Sequence, residues 1–328
     1  MPPPAAAAAG AVCISSSAVL MRLASSSASV TALGRCAFAL PVLGALALLE
    51  RRRGAPPMPS RSRWLARMAG VFLAADLIMW DHAITAIGAG LGTVVTNLQV
   101  LVISLLAWLV LGERPRRSLV LASPVMLVGL ALVGGLADVG GARAYGTDPA
   151  LGVVYGVGVA ILYAIYILML RQATSSPGGR TAVAAPLFEA TAGATAGSVA
   201  FGFALHDFHL GPAWPTLGWL ALLALTSQVI GWLLITVSMP RLAAGMIGAL
   251  LLIQPAGSVA LSYVILGERP SALQLLGVVL VLTGVLVAVR ARGSEVSYSR
   301  PLGHWRRSTR IIRQASGAST GRSVSKSP

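Results

Sequence analysis

Apolar runs of about 20 residues recur along this chain, each long enough to cross a bilayer as a helix. They fall near residues 5–23, 30–49, 67–88, 90–112, 117–136, 150–171, 182–205, 214–237, 241–265 and 272–290. A chain so divided has few folds open to it. The run over 5–23 is rich in Ala and Ser, and Ser15, Ser16 and Ser17 offer a surface on which another helix packs closely. The opening segment MPPPAAAAAG lacks a basic region, so this run is expected to persist as a helix. The expected fold is all-α and integral to a membrane, with about ten transmembrane helices.

Composition closes the soluble alternative. Charged residues make up 11% of the chain and apolar ones 56%, with a mean hydropathy of +0.79. A soluble domain is about 25% charged. The net charge of +15 invites a nucleic-acid reading, but the arginines crowd into short loops and the tail, and Lys326 is the only lysine. Basic loops beside apolar spans mark cytoplasmic segments instead. Cys13 and Cys36 sit in apolar runs with no zinc or disulfide spacing, so no metal or other cofactor is expected.

Loop charge then sets orientation. With the first residue inside, the inner loops carry Arg51, Arg52, Arg53, Arg61, Arg63, Arg67, Arg114, Arg116, Arg117, Arg171, Arg180 and Arg241. The outer side holds Arg22, Arg143 and Arg269 with Asp138, Asp148 and Asp207. Both termini are therefore expected in the cytoplasm, in the inner membrane of a cell. The Ser- and Arg-rich stretch 291–328 reads as a disordered tail that can rest on anionic lipid.

The pentapeptide LGERP occurs at Leu111–Pro115 and again at Leu266–Pro270, 155 residues on. Gln99 and Gln254 repeat at the same offset. The chain thus reads as two five-helix halves, 1–136 and 150–290. An odd number of helices forces the second half to enter the membrane upside down, which gives an inverted repeat of the kind secondary transporters use. Within LGERP, Gly suits a helix end, Pro suits a helix start, and Glu113 and Glu268 are expected to cap the helices that follow.

On LGERP at 111–115 and 266–270, NLQV at 97–100 and IQP at 253–255, the sequence resembles the EamA family of the drug/metabolite transporter superfamily. The resemblance spans about residues 5–290. It implies a central cavity lined by the first four helices of each half. It also implies proton-linked or facilitated transport of a small molecule, often export, without ATP. No Walker motif is present, in agreement. Where many members carry Glu-Pro, this chain has Gln254-Pro255.

Charges inside spans are costly, about 2.5–3.5 kcal/mol each, and usually face a partner or a wet cavity. The candidates are Arg35, Asp76, Asp81 and Glu189. Arg35 lies roughly 8 Å and Asp81 about 10 Å below the outer surface, so an ion pair between them is expected, structural or proton-released. Trp80, at the i, i+4 spacing from Asp76, reads as a wall beside that carboxylate. His82 either shuttles protons or bonds a neighbour. Glu189 falls near the repeat position of Arg35 and would set opposite charges at opposite gates. Asn97, Gln99, Gln228 and Gln254 either pack helices or read a polar substrate, and Gln99 and Gln254 would face each other across the repeat axis. Tyr163, Tyr166 and Trp232 join Trp80 as cavity aromatics. The rival classes are a membrane-embedded enzyme, a passive channel and a lipid flippase. No HExxH, no Asp-Asp pair and no GxSxG with partners supports an enzyme.

Overall fold

The computed structural model describes residues 2–111, 117–134, 148–174, 183–208, 214–238, 242 and 250–290. The first LGERP copy beyond Leu111, with Glu113, Arg114 and Arg116, lies outside these residues. So do Asp138, Arg143, Arg180, Arg241 and the expected tail.

Every described element is helical. The first run forms α1 (Pro3–Ser15) and α2 (Ser17–Ala24), the second α3 (Ala28–Arg52), and the third α4 (Ser60–Ile87). The fourth forms α5 (Ala89–Thr96) and α6 (Gln99–Leu111), the fifth α7 (Arg117–Val133), and the sixth α8 (Pro149–Thr174). The seventh is α9 (Ala184–Ala204). The eighth is α10 (Thr216–Leu223), a π-helical segment Ala224–Gly231, and α11 (Trp232–Ser238). The described part of the ninth is α12 (Ile253–Leu261) with a second π-helical segment, Ser262–Leu266, and the tenth is α13 (Ala272–Arg290). Six of these stretches are long and apolar enough to cross a membrane: Pro3–Ala24, Ala28–Arg52, Ser60–Ile87, Ala89–Leu106, Pro149–Thr174 and Thr216–Ile235. Shorter apolar helices are Arg117–Val133, Ile253–Leu266 and Ala272–Val287.

Two boundaries differ from expectation for physical reasons. Helix α4 begins at Ser60, so Arg61, Arg63 and Arg67 ride on helical turns rather than on a loop. A helix that continues beyond the apolar layer keeps its own hydrogen bonds and leaves its arginines exposed. The fourth and ninth runs are each interrupted, at Asn97–Leu98 and at Leu252, positions related by the repeat offset.

The packing respects the repeat. Equivalent helices of the two halves pack on each other: α3 on α9, α5 on α12, and α7 on α13. The cross contacts also come in matched sets. Helix α4 packs on α8 and α9, and the eighth run packs on α1, α2 and α3. Helices α3 and α9 are antiparallel, and their ends show it. Glu50, near the end of α3, accepts hydrogen bonds from the backbone N–H groups of Val183 and Ala184 at 3.0–3.1 Å, where α9 starts. Asp207, just past α9, accepts one from Ser29 at 3.0 Å, where α3 starts.

Small residues set the closest crossings, as in bilayer proteins, where close backbone approach replaces a hydrophobic drive. A side chain at Gly70 would strike the backbone of Ala190, and one at Gly193 the backbone of Arg67. On α7 and α13, Gly129 and Gly277 lie against each other's carbonyls. In α1, Gly10 lies under the Gly231 carbonyl. The outward faces carry Leu121, Val128, Val264, Val279 and Val287, each more than half or nearly half exposed. Apolar surface on this scale is unstable in water and suits a lipid surround.

Replacing Gly193 by Val should lower stability by about 1–3 kcal/mol or more through overpacking. Ala200→Val, on an exposed face of the same helix, should stay within about 0.5 kcal/mol. Thermal unfolding of the two variants in detergent checks the difference.

Candidate functional site

Arg35, on α3, is a buried charge, 5% exposed. Its guanidinium is held from one side by the eighth run. Nε donates to Gln228 Oε1 at 3.0 Å and Nη2 to Ser227 Oγ at 3.1 Å. Ser227 and Gln228 lie in the π-helical segment Ala224–Gly231. A wider turn sets neighbouring residues closer in angle than the 100° of an α-helix, so both reach the same guanidinium. Ser17 of α2 forms a hydroxyl–hydroxyl bond with Ser227 at 2.7 Å. Gln228 Nε2 reaches Thr191 of α9 at 3.5 Å. Four runs thus converge on one cation.

The other side of Arg35 is open in hydrogen-bond terms. Its Nη1 has no partner, and neither do Asp76 Oδ1 and Trp80 Nε1. Asp76 is 5% and Trp80 6% exposed. They lie one turn apart on α4, and the guanidinium carbon sits 5.8 Å from the centre of the Trp80 ring, in cation–π range. Asp76 feels the Arg35 charge, yet no ion pair joins them. Tyr166, buried, and Tyr163 pack in the same cluster, their rings 5.7 Å apart. Unmatched buried donors and acceptors are costly, which makes this group the candidate site.

The expected Arg35–Asp81 pair does not form. Depth allowed it, but the helix face did not: five residues separate Asp81 from Asp76, about 140° around α4. Asp81 instead lines a cleft of about 430 Å3 with Met21, Arg22, Ser25, Ser26, Thr85, Leu266 and Glu268. It faces the charges of Arg22 and Asp207 there.

Glu268 is a cap, but of a helix in the other half. Its carboxylate accepts from the N–H groups of Ala89 at 2.7 Å and Gly90 at 3.1 Å, the start of α5. Gly88, the single residue between α4 and α5, has φ of 100°, and a side chain there would press on that carboxylate at 3.1 Å. Only glycine fits both demands.

The remaining candidates scatter. Glu189 pairs with Arg67 at 2.6 Å, at the end of the bundle away from the cleft. His82 is exposed and stacks on Tyr155 with centroids 5.4 Å apart. Asn97 donates to the Thr93 carbonyl at 2.9 Å and sits at the break between α5 and α6. Gln99 opens α6 and Gln254 lies in the first turn of α12, both half-buried. Trp232 packs against the cluster formed by Ala39, Leu43, Leu187, Ala224 and Val229. Sequence reasoning missed Ser227 and Thr191, which carry no charge; adjacency to Gln228 was the available sign for Ser227.

A family model described as the EamA-like transporter family matches residues 4–135 and again residues 150–290. No curated protein matches the sequence. A solved structure described only as a crystal structure of protein is similar over 88% of this chain and 97% of its own length, at 18% identity and a TM-score of 0.56. That likeness shows the fold alone.

Glu268→Ala should cost about 1–3 kcal/mol by leaving two N–H groups of α5 unmatched. Glu268→Gln, which keeps one acceptor, should recover part of it. Thermal unfolding, with amide hydrogen exchange at Ala89 and Gly90, reads both effects.

Proposed function

We propose that this chain, which belongs to the EamA-like transporter family, is an alternating-access exporter of small metabolites, amino-acid-like or drug-like, coupled to protons. It is a multi-pass membrane protein. On this reading it lies in the cytoplasmic membrane as ten helices, two five-helix halves (1–136 and 150–290) of opposite orientation, with both termini inside and a basic tail over 291–328.

The observation that carries the reading is the group of unmatched polar atoms on Arg35, Asp76 and Trp80, enclosed by helices from both halves. Transporters place their substrate sites near the bilayer midplane, where the repeats meet. Asp76 lies 11 residues from the end of α4, about 16 Å along it, which is mid-membrane depth. The antiparallel pairing of α3 with α9 supports inversion, since these are the second helices of the two halves.

The two ends of the bundle differ in a way that suits one conformation of a cycle. The cleft opens at the end bearing Ser25, Asp81 and Glu268. The opposite end carries Arg51, Arg52, Arg53, Arg61 and Arg63, and there α4 and α9 are closed by Gly70, Gly193 and the Arg67–Glu189 pair. With arginines inside, the cleft faces outward. An exporter in this state would have released its load. Asp81, in the wall of the cleft, is placed to exchange protons with the outer solution.

In metabolite profiling of the medium, a compound should accumulate outside cells expressing the wild type and not outside cells with an empty vector. In proteoliposomes that compound should show saturable counterflow, which a passive channel cannot give. Arg35→Gln should slow counterflow by at least about tenfold through loss of a charge-assisted contact. Transport without counterflow would replace the carrier by a pore.

A further inference from the structure

The arginine-bearing end of the bundle holds charge that the fold leaves unused. Among the described residues its carboxylates are Glu50 and Glu189, and both are engaged. Glu50 accepts from the N–H groups at the start of α9, and Glu189 from Arg67. Arg61 and Arg63, in the first turns of α4, are exposed, as are Arg51, Arg52 and Arg53 at the end of α3. None of these five side chains forms an ion pair among the described residues. Arg67 gives only its Nε to Glu189, at 2.6 Å, which leaves both terminal NH2 groups open to another partner. In the midst of these cations Trp64 is 59% exposed. A large ring turned outward there adds nothing to packing within the bundle.

Position along α4 explains the combination. Arg61, Trp64 and Arg67 follow at three-residue steps and so share one face of the helix. Helical side chains lean toward the N-terminus, which here is the arginine-bearing end, so all three lean away from the apolar layer. Trp64 lies 12 residues before Asp76, about 18 Å along the helix. Half of the hydrocarbon layer is about 15 Å thick, and the headgroup region reaches to about 20–22 Å. Trp64 and Arg63 therefore lie at headgroup depth, and the long Arg67 side chain reaches it from just below. The partner at that depth is a lipid. Guanidinium groups match the oxygens of a phosphate two at a time, and an indole suits the boundary between headgroup and acyl chain. A soluble anion would use the arginines and leave the ring without a role. We propose that Arg61, Arg63, Trp64 and Arg67 form a binding surface for an anionic phospholipid, with its phosphate on the guanidinium groups and its glycerol and upper acyl chain against Trp64. The proposal rests on the membrane-spanning architecture and on the mid-membrane depth of Asp76, and not on transport.

The test reconstitutes the full chain in phosphatidylcholine vesicles. A minor share of the lipid is phosphatidylglycerol, or else phosphatidylcholine, brominated near the headgroup end of its acyl chain. Bromine quenches tryptophan fluorescence at short range, and the difference between wild type and Trp64→Phe isolates the Trp64 signal. At Trp64 the brominated phosphatidylglycerol should associate about fivefold or more tightly than the brominated phosphatidylcholine, since each arginine near an anionic lipid surface contributes about that factor. The double variant Arg61→Gln, Arg63→Gln should lose most of this preference. Arg269→Gln, an exposed arginine beside the cleft at the other end, should keep it. Should the double variant fail to fold, the Trp64 signal of the wild type decides alone. Equal quenching by the two lipids overturns the proposal, as does a preference that survives in the double variant. Loss of the preference on adding millimolar glycerol phosphate also overturns it, and assigns the arginines to a free phosphate. Counterflow tests the transport reading separately, and its failure leaves the quenching result in place.

Discussion

A helix leaves its first backbone N–H groups without partners, and an apolar surround offers no water to take them. At three helix starts of this protein carboxylates take them, and they come from the opposite half of the chain. Glu50 closes the start of α9, Asp207 the start of α3, and Glu268 the start of α5. Each bond joins a negative charge to the positive end of a helix dipole. Because donor and acceptor lie in different halves, each of these three helix starts depends on the other half. The packing of α3 on α9 and of α5 on α12 is built on these bonds.

The repeat duplicates the scaffold and leaves the site single. At the offset of 155 residues, Arg35 corresponds to Ala190, Asp76 to Gly231, Trp80 to Ile235 and Gln228 to Leu73. In each case one half carries the polar group and the other a small or apolar residue. On the transport reading proposed above, a symmetric frame allows two mirror-related conformations, while an asymmetric candidate site presents the same chemistry in both. The π-helical segment Ala224–Gly231 belongs to this asymmetry, since α4 is regular over the matching stretch.

Long-range order was legible because it rests on spacing. The apolar runs, the two LGERP copies and the Gln99–Gln254 register are periodic facts, and the helices and their pairing follow them. The identity of the central residues was legible too, because charge within an apolar run is rare enough to stand out. Partners were not. Depth along a helix follows from counting residues, but the face a side chain presents depends on how each helix is rolled against its neighbours. That is why Arg35 was matched by depth to Asp81 and is found on Ser227 and Gln228. It is also why Glu189 lies with Arg67, and why His82 faces outward beside Tyr155. The π-helical turn has no sequence signature at all, yet it brings Gln228 and Ser227 to one guanidinium. Glu268 was read as a cap from its place beside a helix start, and only the fold could say that the helix was α5.

The ties at the two ends of α3 and α9 restrict how these helices can move. Sliding one along the other would stretch the Glu50 bonds at one end and the Asp207 bonds at the other at the same moment. Rolling the pair about its shared long axis changes neither set of distances to first order. In the transport cycle proposed above, the pair would serve as a hinge pin and not as a piston, and the helices around it, α4 with α8 on one flank and α1 with the eighth run on the other, would be the leaves.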